Sequence, residues 1–239
     1  VKDQLPGEIQ ERCMEIERDL LSLGSVGAHA VVVGVGAERN QLPETQAVRR
    51  SLLSVLWRIG SAPAVDALVA WAKSPDVAVR REVAGASRNS KVANDLEPVL
   101  LDYVRDPDPA GEVWRATLGA VAQLSFDQHF RMVADGDPAL RAAGLLGLAS
   151  SWNSFTNPQQ EHVVGTLGST IQQATATADS RLARSAWQLI ARFTWFGPRS
   201  ATGVFFAVAD RFPNDAVSST ICQIDADDAW IHAATVLAR

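Results

Sequence analysis

Apolar residues recur at intervals of three and four positions in several segments of this 239-residue chain, a spacing that places them on one face of an α-helix. Each segment carries one or two arginines near its start. Alanine, glycine and serine are frequent in its middle, where neighbouring helix backbones would approach closely. The clearest segments are residues 47–56, 77–86, 113–121, 140–148 and 182–190. The pattern predicts an all-α protein.

Proline-containing turn signals precede the first four segments at a nearly constant interval. They contain Pro43, Pro75, Pro107 and Pro138, which are 32, 32 and 31 positions apart. A fixed period of this length indicates stacked repeats, because one helix pair cannot bury its apolar face alone and packs against a neighbour. The sequence between successive arginine-bearing segments then supplies the second helix of each pair, for which we predict residues 63–73, 96–105, 126–134, 158–175 and 200–211.

This organisation resembles the HEAT-repeat family, in which a Pro/Asp turn is followed by an apolar helix led by Val-Arg or Leu-Arg. Residues 74–80, which read Ser-Pro-Asp-Val-Ala-Val-Arg, carry the resemblance best. It covers residues 40–239 and implies a right-handed superhelix of stacked antiparallel helix pairs, an α-solenoid. We therefore expect a single solenoid domain over residues 1–239, with an irregular N-terminal helical cap at 1–40 and five or six HEAT-like pairs at 41–239.

Two parts of the chain leave alternatives open. Residues 25–40 combine valines with glycines, and the pattern fits either a buried helix or a short extended segment. The chain also begins at Val1 and ends at Arg239 within an apolar run, without the polar cap that a solenoid end needs for solubility. We expect either a module of a longer protein or a chain trimmed at its ends.

The recurring arginine has a structural role in HEAT-repeat proteins, where it lies between layers and bonds to acidic or carbonyl groups of the adjacent repeat. The resemblance implies this ladder role for Arg49, Arg80, Arg115, Arg141 and Arg184. The arginines at the next position, Arg50 and Arg81, are expected to be solvated. They are therefore the better candidates for contact with an anion.

The distribution of charge indicates the kind of partner. The net charge is −5, and the predicted first helices are rich in arginine while the second helices are more acidic. In a superhelix of the HEAT type the second helices line the concave face, so we expect that face to be mildly acidic and to disfavour nucleic acid. A protein or peptide partner is expected instead. Charged candidates for its binding on the second helices are Asp102, Arg105, Asp127 and Arg131.

The seven tryptophans are a further source of candidates. Most of them fit the apolar helix faces and are expected in the core between repeats. Aromatic residues and arginine are enriched at protein interfaces, so an exposed aromatic cluster would mark a binding surface. We expect such a cluster first at Trp195 and Phe196, and second at Trp71 with Tyr103.

The sequence contains no motif that indicates catalysis, a cofactor or a metal. Its four histidines are scattered, and none belongs to a His-Glu-x-x-His motif. The longest apolar run, residues 28–37, is too short to cross a bilayer, which takes about 20 residues. Cys13 and Cys222 are too few and too far apart to suggest a disulfide framework. We expect a cytoplasmic, non-enzymatic protein with no cofactor, metal or membrane partner.

Three functions are compatible with the sequence. The leading hypothesis is a protein-interaction scaffold or sensor module that holds a protein or peptide on its concave face or at the 192–199 turn. The first alternative is an inhibitor or immunity-type binder of a toxin or nuclease, which would mimic nucleic acid with acidic residues at 95, 97, 102 and 127. The second is an enzyme similar to the HEAT-like alkylpurine DNA glycosylases, which act on an extruded base. The tryptophans motivate it, the acidic second helices disfavour it, and no catalytic residue can be assigned.

Overall fold

The computed structural model describes residues 7–37, 43–89 and 91–196. Within these residues every regular element is helical, with eleven α-helices and three short 3-10 turns. The α-helices are α1 (Gly7–Ser22), α2 (Ser25–Ala37), α3 (Pro43–Ile59), α4 (Ala62–Ala72), α5 (Val77–Ala86), α6 (Glu97–Val104), α7 (Glu112–Val121), α8 (Phe126–Ala134), α9 (Pro138–Ser151), α10 (Asn157–Thr175) and α11 (Ser180–Phe196). The all-α prediction is confirmed.

The predicted second helices agree with the structure where it describes them. Helices α4, α6, α8 and α10 match the predicted ranges to within one residue at each end. Residues 25–37, which the sequence left open, form helix α2, with Val31 and Val35 buried and Val26 and Val33 exposed. The predicted helix at 200–211 lies outside the described residues.

The chain divides into two compact units. Unit 1 comprises residues 1–123 and contains α1 to α7, and unit 2 comprises residues 124–239 and contains α8 to α11. The expectation of a single solenoid domain stays a prediction.

Unit 1 has its helices in two sets. The arginine-bearing helices lie side by side, because α3 packs against α5 and α5 against α7. The intervening helices α4 and α6 pack against each other, and α2 contacts both α3 and α4. The arginines of α3, α5 and α7 are thereby brought to neighbouring positions on one side of the unit.

A hydrogen-bonded aromatic pair joins the two sets of helices in unit 1. Trp57 and Tyr103 are fully buried, and their ring centroids lie 5.7 Å apart at an interplanar angle of 63°. The Trp57 indole N–H donates to the Val83 carbonyl at 2.9 Å, and the Tyr103 hydroxyl donates to the Leu68 carbonyl at 2.9 Å. Both polar ends are satisfied, so both rings are stabilised within the core.

A buried ion pair fixes the start of α5 to the turn before α7. The Arg80 guanidinium donates to Asp106 from Nε at 2.6 Å and from Nη2 at 3.2 Å, and its Nη1 donates to the Ser74 carbonyl at 2.7 Å. Asp106 in turn accepts from the backbone N–H of Asp108 at 2.9 Å. This fork-like geometry satisfies both charges inside the protein.

Unit 2 depends on glycines where α8 crosses α9. A Cβ added to Gly147 would overlap the buried ring of His129, and one added to Gly144 would lie 2.8 Å from the Cβ of Met132. The two helices can therefore approach closely only without side chains at these positions. Helix α9 also packs against α11, and α10 against α11. Helix α9 is capped by Asp137, which directly precedes Pro138 and whose carboxylate accepts from the backbone N–H groups of Ala139 and Leu140.

Candidate ligand-binding groove

A groove of about 1430 Å³ lies across α3, α5 and α7 in unit 1, and we refer to it as the arginine groove. Its charged lining consists of six arginines and four carboxylates, an excess of two positive charges in a protein whose net charge is −5. These residues are Arg49, Arg50, Arg58, Arg81, Arg88, Arg115, Glu17, Asp76, Glu82 and Glu112.

The helical period places these residues on one side. On α3 the groove is lined by Arg50, Ser54 and Arg58, which are four residues apart, whereas Leu56 and Trp57 face the core. Burying the apolar face of each first helix therefore turns its arginine face outward. Because the same arrangement recurs on three adjacent helices, the arginine faces merge into one surface.

Three of the six groove arginines form ion pairs with residues of neighbouring helices. Arg49 Nε lies 3.0 Å from Glu82 Oε1 and joins α3 to α5, and Arg81 Nη1 lies 2.7 Å from Glu112 Oε2 and joins α5 to α7. A third pair joins α3 to α1, with Arg58 Nη1 3.7 Å from Glu17 Oε2. Pairs as accessible as these contribute about 0–1 kcal/mol each, so their main effect is to hold the side chains in place.

The other three arginines carry charge that the groove does not neutralise. Arg50, Arg88 and Arg115 are exposed, and their side chains make no hydrogen bond or ion pair with the described residues of unit 1. The fourth groove carboxylate, Asp76, accepts from the backbone N–H of Ala78 at 2.8 Å and caps α5. Three of the carboxylates are therefore paired with arginines and the fourth caps a helix, while three guanidinium groups are available to an anion.

Arg88 and Arg115 are placed next to each other by α7. Gly119 lies four residues after Arg115, so the two positions share a face of that helix. The aliphatic stem of Arg88 covers Gly119, where an added Cβ would overlap its Cγ. Gln123 fixes the backbone there, because its Nε2 donates to the Arg88 carbonyl at 2.8 Å. Both arginines thus lie over one face of α7, about one helical turn apart.

The five ladder positions differ in their surroundings. Arg80 is buried against Asp106, and Arg49 bridges to Glu82 and donates to the Val35 carbonyl at 3.4 Å. The others, Arg115, Arg141 and Arg184, make no side-chain hydrogen bond or ion pair with the described residues of their own units. Arg115 is exposed in the arginine groove, and the ladder role that the resemblance implies for it stays a prediction.

Four of the partner-binding residues predicted from the sequence lie in unit 1. Tyr103 was expected at an exposed cluster, and this is wrong, because its ring is in the core and its hydroxyl is bonded to Leu68. Trp71 is half-buried on α4. Asp102 is exposed on α6 and Arg105 is exposed at the C-cap of that helix, with their charged atoms 3.7 Å apart.

Four further candidates lie in unit 2. Asp127 and Arg131 are exposed on α8. Trp195 and Phe196 fall in the last turn of α11, but their side chains and the turn after them lie outside the described residues. The sequence did not identify Arg88 as a candidate. The sequence feature connected with its position is Gly119, because a glycine there leaves space for the aliphatic stem of Arg88.

Neither a metal site nor a membrane-spanning helix is found among the described residues. Residues 7–37, 43–89 and 91–196 contain no group of three or more His, Cys, Asp or Glu side chains able to hold a metal ion. Over the same ranges, no helix combines the length and the apolar character needed to span a bilayer. Among known proteins, no family model and no curated protein matches this sequence.

Proposed function

We propose that this protein is a non-enzymatic interaction module that binds an acidic segment of a protein partner in the arginine groove. The observation that carries the proposal is the set of three exposed arginines, one from each of three adjacent helices or their ends, in a groove whose carboxylates already have partners. An acidic ligand would neutralise this charge. Such recognition of acidic motifs by arginine clusters is a common mode of peptide binding.

The chemistry of the lining favours a peptide over a small molecule. Small-molecule pockets measure about 300–1,000 Å³ and are mostly apolar. The arginine groove is larger, at about 1430 Å³, and its lining is dominated by charged residues, serine and alanine. A chain segment with several separate charges matches such a surface better than a compact ligand does.

The same lining disfavours nucleic acid. A phosphate backbone carries closely spaced negative charges, and it would pass over Glu82 and Glu112 as well as over the arginines. A peptide can instead place its carboxylates at the arginines and neutral residues near the glutamates. The net charge of −5 acts against nucleic acid in the same direction.

We further propose that the chain is a HEAT-like α-solenoid and acts in the cytoplasm. The side-by-side packing of α3, α5 and α7, with α4 against α6, supports the solenoid, since it is the arrangement expected of stacked helix pairs. In this proposal the ligand lies on the arginine-bearing first helices, and not on the acidic second helices that the sequence favoured.

The proposal is tested by fluorescence anisotropy with labelled acidic, neutral and basic peptides of equal length. We expect the acidic peptide to bind most tightly and to lose affinity as salt is raised. The triple variant R50E/R88E/R115E should lose this binding, whereas Arg184→Glu, an exposed charge reversal on α11, should keep it. Tighter binding of a neutral peptide or of a single-stranded oligonucleotide, or equal binding by the triple variant, would overturn the proposal.

A further inference from the structure

We propose that Arg88 and Arg115 form a clamp for a phosphoryl group, so that the segment bound in the arginine groove is a phosphorylated one. This inference rests on the proposed function and specifies its ligand. It depends on the position of the two arginines and on the absence of a carboxylate to neutralise them within the described part of unit 1. It also depends on the amount of negative charge that a ligand needs to neutralise two guanidinium groups.

The position of the clamp is built into α7. Arg115 and Gly119 are one turn apart on the same face, where side chains start about 5–6 Å from each other. The stem of Arg88 covers Gly119 on that face, and Arg88 and Arg115 both line the arginine groove. Gln123 holds the backbone of Arg88 through its carbonyl at 2.8 Å, so the stem has a fixed origin.

The two guanidinium groups have no acidic neighbour free to pair with them. Glu112 lies one turn before Arg115 on α7, but its carboxylate is bonded to Arg81 at 2.7 Å. Two adjacent cations repel each other, and a single carboxylate would neutralise only one of them. A phosphoryl group carries a charge of about −1.5 to −2 and three acceptor oxygens, which suits two planar guanidinium forks.

Arg50 supplies a second and separate binding point. It lies on α3, and α5 separates it from α7, so two interhelical spacings of about 8–10 Å lie between Arg50 and Arg115 of the clamp. An extended peptide rises about 3.3 Å per residue and covers that distance in roughly five or six residues. The expected ligand therefore carries a phosphorylated residue and an acidic residue about five positions away.

The test compares two glycine-serine peptides of equal net charge. One carries a single phosphoserine and, on each side of it, an aspartate about five positions away. The other replaces the phosphoserine by serine and carries additional aspartates outside that position. We expect the phosphopeptide to bind on the order of tenfold more tightly, because the clamp makes several charge-assisted hydrogen bonds to one group. Inorganic phosphate should compete with it.

Three variants separate the clamp from general attraction between charges. Arg88→Lys and Arg115→Lys keep the charge but lose the fork, and each should abolish most of the preference for the phosphopeptide. Gly119→Ala keeps both arginines and raises helix propensity by about 1 kcal/mol, but its Cβ displaces the Arg88 stem. It should lower phosphopeptide affinity while the circular dichroism stays unchanged. Arg50→Ala should weaken both peptides alike.

The outcomes distinguish this inference from the proposed function. Equal affinities for the two peptides, both lost in R50E/R88E/R115E, would overturn the clamp and leave the acidic-segment module standing. A phosphopeptide preference that survives Arg88→Lys and Gly119→Ala would also overturn it. Failure of both peptides to bind would overturn the clamp and the proposed function together.

Discussion

The buried Arg80–Asp106 pair allows the effect of one substitution to be worked out in detail. In the change Asp106→Ala, the Arg80 side chain, 11% exposed, loses a carboxylate that accepts from two of its nitrogens. Removing one partner of a buried pair costs about 3–5 kcal/mol, because the remaining charge is left without compensation. That is a large part of the 5–15 kcal/mol by which a folded protein is stable.

The control is an exposed pair in the same part of the chain. Asp102 and Arg105 lie 3.7 Å apart with side chains 62% and 39% exposed, so Asp102→Ala should cost no more than about 1 kcal/mol. Hydrogen exchange resolved to α5, α6 and α7 would measure the loss of stability within unit 1, which an unfolding curve of a two-unit chain does not isolate. Equal losses of protection in the two variants would refute the reasoning.

Two further predictions concern a buried tyrosine and a helix crossing. Burial raises the pKa of Tyr103, the single tyrosine, so its hydroxyl stays protonated in the folded protein. The free energy of unfolding should therefore keep its full value below about pH 10 and fall as the pH rises above it. Tyrosinate absorbance should appear only with unfolding, and Tyr103→Phe should remove this alkaline loss. Gly147→Ala should destabilise unit 2 by about 1–3 kcal/mol through overlap with His129. Gly165→Ala, where the added Cβ meets open space on α10, should not, and equal losses of hydrogen-exchange protection in α8 and α9 would contradict this account.

Much of the helical framework could be predicted from the sequence because its determinants are local. The start of α9 follows from a capping residue placed directly before a proline, Asp137 before Pro138, and that cap is present in the structure. Helices α4, α6, α8 and α10 were located instead from the stretches between successive arginine-bearing segments. Helix α2 was ambiguous because valine and glycine give a weak periodic signal, and its burial against α3 and α4 decides the matter.

The groove could not be predicted in the same way, because its properties depend on pairing between distant residues. Arg81 and Arg50 both read as solvated from the sequence, yet Arg81 bonds to Glu112 of another helix while Arg50 has no such bond within the described residues. Tyr103 read as a surface aromatic because its hydrogen-bond acceptor, the Leu68 carbonyl, lies 35 residues away. Which charges remain unneutralised is settled only when the helices pack.

The most direct test of the central claim is a hydrogen-exchange footprint of the bound acidic peptide on the intact chain. The proposed function predicts protection in the groove-lining parts of α3, α5 and α7, at residues 50–58, 81–88 and 112–116. It also predicts that this protection disappears in R50E/R88E/R115E. Protection confined to α4 and α6, or to the end of α11, would contradict the account and move the binding surface away from the arginine groove.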